Sequence, residues 1–405
     1  MGLTRSRHFN GSSSRICGTS QLTLRERLDA EAQRIDIYIS HAGRRLICPK
    51  TGETGTLYDH RKARSWRHLD WFQFQCFVHC RVPRVKSCAG VNTIEVPWSS
   101  ASQRFTEAFE SWTIRLLQAT KNQTKTAQLL RCKFDVVNRI LHRSVARGER
   151  RRNLHDISHV SVDEKAIHPK YATVVSDSER GVVLDVGQGR DKISVRALLQ
   201  GLLGDLKDEI QTITTDMWKA YISCVTELFP SATLIHDRFH LIQYLNQAID
   251  QVRRREVKQH DELKHSRYAL LKNEANRTAS QEDIFQAIQK LNLQVSIAWR
   301  LREEFKAIFR CRSFADAKTY FKLWLERVNE EAVQEVLQIA EMFERHRDGV
   351  CNALCHEQSN ARAERINGKI QEVKTVGRGY RTFKNFRSAI LFFHGGLDLY
   401  PQYSR

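Results

Sequence analysis

Hydrophobic positions change rhythm three times along the chain. From Arg34 to Val96 they alternate. In RIDIYISHAGRRLICPKTG the residues Ile35, Ile37 and Ile39 share one face ahead of a glycine-bearing turn, the period-two pattern of a half-buried strand. From about Ser102 to Arg147 the spacing is helical. Within TKTAQLLRCKFDVVNRILHR, Ala127, Leu129 and Leu130 close one short helix, and Val136, Val137, Ile140 and Leu141 line the next. That is the outline of a helix-turn-helix, although an ordinary amphipathic pair with solvated basic faces has the same outline. RGERRRN, Arg147 to Asn153, reads as a basic linker.

From Ile157 the pattern predicts strand, strand, strand, helix, strand, helix, strand, helix. The strands are Ile157–Val162, Ala172–Ser176, Val182–Val186, Ile210–Thr215 and Ala232–His236. The helices are Val195–Leu206, Lys219–Leu228 and one starting near Phe239. Three sequential strands followed by α/β alternation is the order of an RNase-H-like domain. Beyond it no glycine falls between Gly204 and Gly349 and no proline between Pro230 and Pro401, so this stretch is expected to be almost wholly helical. Helices over Asn360–Thr375 and Thr382–Phe393 close the chain. The expected organisation is a basic, disordered tail (1–33), a β-rich module (34–101), a helix-turn-helix with linker (102–153), an RNase-H-like domain (154–250 and 356–405) and an all-helical insertion (251–355).

Composition narrows the function. With 65 basic against 46 acidic side chains in 405 residues the net charge is +19, which points to a polyanionic partner, nucleic acid first. A hydrophobic share of 41% with 27% charged residues is that of a globular chain. The longest apolar runs, such as Ala389 to Phe393, are about five residues, too short to span a bilayer, and no apolar segment follows the start as a secretory signal would require. The expected location is therefore the cytoplasm. The 10 scattered cysteines suit free thiols or metal ligands better than disulfides. In the tail, Arg5, Arg7 and Arg15 precede the first acid at Glu26. A DNA-contacting arm or an organellar transit peptide is the alternative there. Trp66, Trp71, Trp98 and Trp112 read as core residues rather than base-stacking platforms.

The acids carry the candidate chemistry. Asp163 ends the first strand of the α/β block and Asp216 the fourth. In RNase-H topology those strands are parallel neighbours, so the two carboxylates stand side by side. Their repulsion is relieved by divalent cations, and hard oxygen donors suit Mg²⁺ or Mn²⁺. Glu364 is the candidate third acid, on a helix that buries Ala363, Ile366, Ile370 and Val373 and sets Asn360, Glu364, Asn367 and Gln371 along an adjacent polar stripe.

At these residues the chain resembles the bacterial insertion-sequence DDE transposases of the ISL-three group. The likeness is carried by VDEK at Asp163, TTDMWKAYISCVTELFPSATLIHDRFHLIQYLNQAID from Thr214 and SNARAERINGKIQEVKTVGRGYRTFKNFRSAILFFHGGL from Ser359. Upstream, DHRKARSWRHLDWFQFQ, RVPRV and VPWSSASQRFTEAFE extend it across nearly the whole chain. The resemblance implies that Asp163, Asp216 and Glu364 form a catalytic triad binding two Mg²⁺ or Mn²⁺ ions. It also implies that Asp237 and His240, in the Asp-x-Phe-His run, assist, Asp237 by orienting water or phosphate and His240 by bonding the triad or DNA; packing and capping of its helix is the equal alternative for His240. Glu364 lies 148 positions after Asp216, against 53 from Asp163 to Asp216, and the excess fits the insertion domain of related transposases.

The family's N-terminal zinc ribbon is incomplete here. Cys48 is present but Thr51 stands where its partner should be, and Cys88 has no partner two residues on; Cys76, His79 and Cys80 lie nearby as substitutes. An eroded ribbon is favoured over a Zn²⁺ site. Cys351, Cys355 and His356 read as structural. The resemblance further implies binding of terminal inverted repeats and target DNA, with Lys133, Arg139 and Arg143 on the second helix and Lys369, Lys374, Arg378 and Arg381 near the acids as phosphate or base donors. End hydrolysis and transfer of the 3′-hydroxyls to target DNA follow, by at least a homodimer on DNA. Two alternatives are a non-catalytic DNA-binding descendant and a structure-specific nuclease on the same fold.

Overall fold

The computed structural model describes residues 4–8, 22–41, 43–100, 103–167, 170–291, 293–356, 361–377 and 379–402. It falls into two units: Met1–Arg152 together with the C-terminal segment from Leu397, and Asn153–Gly396.

The first unit begins with nine strands: β1 (Thr4–His8), β2 (Leu22–Asp29), β3 (Arg34–His41), β4 (Arg45–Ile47), β5 (Thr54–His60), β6 (Arg64–Arg67), β7 (Gln75–Cys80), β8 (Pro83–Ser87) and β9 (Gly90–Thr93). They form one sheet in the order β1-β2-β3-β7-β6 and a second in the order β4-β5-β8-β9. Gly55 is required in the second, because a Cβ there would lie 2.4 Å from the Lys86 carbonyl oxygen. The expected tail through residue 33 does not hold for Leu22–Asp29, which pairs with β3 along its whole length. Leu24 meets Ile39 and Leu28 meets Ile35, an alternation that the interleaved Arg25 and Arg27 mask in the sequence. Nor are all four tryptophans core. Trp66 is fully buried with Trp98 edge-on against it, but Trp71 and Trp112 are 61% and 46% exposed.

Three helices follow, α1 (Glu107–Thr120), α2 (Gln123–Leu129) and α3 (Phe134–Arg151). Thr106 caps α1 by accepting from the Phe109 amide and Asn122 caps α2 by accepting from the Lys125 amide. α3 buries Val137, Ile140, Leu141 and Val145. The C-terminal segment packs on this bundle: Arg147 donates to the Leu399 carbonyl at 2.6 Å and Arg151 to the Tyr400 carbonyl at 2.7 Å.

The second unit opens with β10 (His159–Ile167), β11 (Lys170–Asp177), β12 (Val182–Gln188), α4 (Lys192–Leu203), β13 (Thr212–Thr215), α5 (Lys219–Leu228), β14 (Thr233–His236) and α6 (Arg238–Glu256). The sheet order is β12-β11-β10-β13-β14, with β10, β13 and β14 mutually parallel, over a core of Val160, Val162, Leu199, Ile213, Tyr221 and Val225. Next come α7 (Arg267–Leu271), α8 (Ala279–Gln289), α9 (Gln294–Ile308), α10 (Phe314–Glu331), α11 (Gln334–Arg345) and α12 (Arg347–Cys355). They close on an aromatic cluster of Phe305, Phe321, Trp324 and Phe343. Finally α13 (Ala361–Val376) buries the expected Ile366, Ile370 and Val373, and α14 (Phe383–His394) is tied to β12 through Arg387 and Asp185. No described helix is long and apolar enough to cross a membrane.

Candidate active site

Parallel pairing between β10 and β13 runs from His159 opposite Thr212 to Val162 opposite Thr215. Asp163 is the next residue along β10, and Asp216 is the first residue beyond β13. β10 itself does not stop at Val162 as expected; it continues to Ile167 because the antiparallel hairpin with β11 carries it on. Asp163 therefore marks the end of the parallel pairing rather than the end of the strand. β14 extends the same line, since Thr215 pairs with His236 and the Asp237 amide donates to the Thr215 carbonyl at 3.1 Å. Three successive strands thus present Asp163, Asp216 and Asp237 at one edge.

The start of α6 completes the cluster. Asp237 caps the helix by accepting from the Phe239 amide at 2.8 Å. One turn on, His240 brings Nε2 to 3.7 Å from Asp163 Oδ1, an ion-pair distance beyond a good hydrogen bond. A further turn brings the Tyr244 hydroxyl, which donates to Asp216 Oδ1 at 3.3 Å; the Met217 amide donates to the same oxygen at 2.6 Å. Tyr244 was not anticipated from the sequence, although its place four residues after His240 puts both on one helix face.

The electrostatics follow from crowding negative charge. Asp237 is buried, and that burial, reinforced by the fields of Asp163 and Asp216, pushes it up to about 6. Burial alone would lower His240, but its pairing with Asp163 and the fields of Asp216 and Asp237 outweigh that and raise it to about 9. Tyr244 is pushed up to about 12 by burial and by Asp216. Beside the acids, Arg190 is held by Glu164 at 2.7 Å and stacks between the rings of Tyr171 and Trp218, another arrangement that the sequence did not disclose.

Glu364 falls within α13, and its side chain lies outside the described residues. α13 reaches β10 through Lys374, whose Nζ donates to the Ala166 carbonyl at 3.2 Å. Among the described residues no three His, Cys, Asp or Glu side chains are gathered to hold an ion. The donor set at the strand edge nevertheless fits a hard divalent cation. Asp163 and Asp216 are oxygen donors on adjacent strands, and their excess negative field is registered by a raised neighbouring acid and a raised histidine.

Of the expected DNA-contacting residues, Lys133 is exposed at the N-cap of α3, Arg139 is exposed on α3, and Lys369 is exposed on α13. Arg378 lies outside the described residues. Arg143 lies 4.7 Å over the Phe105 ring and 3.3 Å from the buried Glu110. The expected cysteine substitutes are corrected. Cys76 and Cys80 are in β7, in the other sheet from Cys48, and burial pushes both thiols up to about 11. His79 there is engaged by Asp36 and Ser65. Cys48 is buried against the Ser87 hydroxyl, which donates to Sγ at 3.2 Å and, with nearby backbone amides, lowers the thiol to about 7. Cys88 donates to Glu53.

Family models match three consecutive regions. Residues 44–88 match the zinc-finger of transposase IS204/IS1001/IS1096/IS1165, residues 94–145 the helix-turn-helix domain of transposase family ISL3, and residues 160–390 the transposase domain of the same family. The chain is 26% identical over 368 residues to the transposase for insertion sequence element IS1557 of Mycobacterium tuberculosis, covering 83% of this chain and 82% of that protein. It is 24% identical over 366 residues to the transposase for insertion sequence element IS1001 of Bordetella parapertussis, covering 87% and 89%. With a zinc ribbon, a helix-turn-helix and an RNase-H-like sheet bearing aligned acids, matched in order along its length, the chain belongs to the ISL3 family of DDE transposases.

Proposed function

We propose that the protein binds the terminal inverted repeats of its own insertion sequence, hydrolyses the phosphodiester at each end and transfers the 3′-hydroxyls to target DNA. The observation that carries this is the register of β10 and β13, which aligns Asp163 with Asp216 and leaves His240 3.7 Å from Asp163. Asp163 and Asp216, joined by Glu364 from α13, would hold two Mg²⁺ or Mn²⁺ ions, which when bound activate the attacking oxygen and stabilise the leaving one.

The protein's own groups do the rest. Tyr244 and the Met217 amide fix the orientation of Asp216. Asp237 anchors the first turn of α6 and so sets where His240 stands. His240 stands with Nε2 3.7 Å from Asp163 Oδ1, where its ring nitrogen would face a scissile phosphate lying against the acids. No side chain is needed as nucleophile. Lys133 and Arg139 grip the end duplex, so affinity falls steeply with salt, and cutting two ends together calls for at least a dimer on DNA.

The test is to incubate the purified protein with the DNA flanking its gene and Mg²⁺ or Mn²⁺, beside Asp163→Asn, and sequence the products. Breaks at inverted repeats with joined target, absent in the variant, are expected. Breaks without joining would mean a nuclease, and binding without breaks a non-catalytic descendant.

A further inference from the structure

The first sheet carries a second chemistry-bearing surface that neither the acids nor the helix-turn-helix uses. Its register sets Arg25, Tyr38, His79 and Ser65 in one row across four strands: Arg25 pairs with Tyr38, Tyr38 with His79, and His79 with Ser65. Arg27 lies two residues along from Arg25 and therefore on the same face. His79 is clamped at both ring nitrogens, Nδ1 2.7 Å from Ser65 Oγ and Nε2 2.5 Å from Asp36 Oδ1. Tyr38 stacks on this fixed imidazole, centroids 4.8 Å apart and planes at 20°, yet the residue remains 44% exposed. A large ring held rigid and left wet is poorly explained as core.

Beside the row opens a cavity of about 700 Å³, walled among others by Arg25, Arg27, Arg81, His41 and His60. Among the described residues Glu26 is the single acid on that wall, so the surplus charge is positive. His41 closes one end of it, with its ring against Gly43.

An exposed ring on a sheet face with flanking guanidinium groups and a basic hollow beside it is the chemistry that takes an unstacked base with its phosphates. A duplex keeps its base faces covered, whereas a single strand offers them. We propose that this face binds single-stranded DNA, with one base stacked on Tyr38 and the adjoining phosphates on Arg25 and Arg27. The proposal rests on the reading of the chain as a DNA-cutting transposase, whose reaction leaves free strands beside duplex.

Anisotropy of the full-length protein with a labelled oligothymidine of about 12 nucleotides, a length within the usual single-strand site size, tests it. Wild type binds. Tyr38→Ala and the bulk-retaining Tyr38→Leu weaken binding about ten-fold, and Tyr38→Trp restores it. Arg25→Ala and Arg27→Ala each lower the slope of log affinity against log salt by about 0.7. Binding of inverted-repeat duplex stays as in wild type. Absence of oligothymidine binding by wild type, unchanged binding by Tyr38→Ala and Tyr38→Leu, or equal loss of duplex binding overturns the proposal. Asp216→Asn separates the two readings. It should bind oligothymidine normally, and metal-dependent cleavage by wild type without strand binding at Tyr38 would sink this inference while leaving the transposase reading intact.

Discussion

Gly349 lies where α12 crosses β14, and a Cβ there would stand 2.6 Å from both Cδ2 and Nε2 of His236. The imidazole has little room to retreat. His236 is 1% exposed and meets the His346 ring edge-on at 5.7 Å. Gly349→Ala gains about 1 kcal/mol in helix propensity and loses about 1–3 kcal/mol to overpacking. Because the overlap falls on a confined ring rather than a flexible tip, the upper part of that range applies, for a net loss of about 1–2 kcal/mol. In a unit of this size that lowers the melting temperature by about 4 °C. It also displaces the strand end that leads into Asp237, so end cleavage falls with it. His236→Ala opens the space, so in the double variant Gly349→Ala keeps only its helix-propensity gain of about 1 kcal/mol, a coupling of about 2–3 kcal/mol. Thermal melts of the four proteins, with cleavage assayed beside them, decide the matter. A melt of Gly349→Ala equal to or above wild type, or additive losses in the double variant, would refute the reasoning.

Burial, helped by His346, pushes His236 down to about 4 from 6.5. The unfolded chain therefore binds more protons between those values, and stability must fall as pH drops from about 6.5 to about 4. Urea midpoints across that window check this, and a flat profile counts against it. In metal-free protein His240 keeps its proton to about pH 9. Adding Mg²⁺ should neutralise Asp163 and Asp216 and lower its NMR midpoint, and an unmoved midpoint would mean the ion binds elsewhere. Glu110 is buried between Arg143 and Arg147, with nitrogen–oxygen distances of 3.3 and 2.5 Å. Glu110→Gln strands two largely buried guanidinium groups and should cost about 3 kcal/mol, seen as faster amide exchange along α1 and α3; unchanged exchange would show that the pair contributes little.

What the sequence disclosed, and what it withheld, has a common cause. The RNase-H-like strands are buried on both sides, so Val160, Val162, Val183 and Ile213 stand out as apolar runs, and the punctuation around them placed Asp163 and Asp216. Strand β2 was hidden because Arg25, Glu26 and Arg27 fill the three positions between Leu24 and Leu28 and break the apolar alternation. The contacts of Arg143 with Phe105 and Glu110 were not legible because nothing local in the sequence marks which basic residues of a helix meet a neighbouring helix. Tyr244, and the Arg190 stack with Tyr171 and Trp218, depend on elements meeting across the sheet edge, which spacing along the chain does not encode. The ribbon's missing partner at Thr51 was plain, but only the sheet assignment separated Cys76 and Cys80 from Cys48.

The central claim is that the acids aligned by β10 and β13 perform metal-dependent chemistry rather than hold the fold together. Asp216→Asn tests it most directly, with cleavage and binding measured on the same inverted-repeat DNA in Mg²⁺. Strand cleavage is expected to disappear while affinity for the end duplex and the melting temperature stay near wild type, since among the described residues Asp216 accepts from Met217 and Tyr244 and Asn retains an acceptor oxygen. Retained cleavage, or loss of binding and stability along with cleavage, would contradict it and make Asp216 a structural residue.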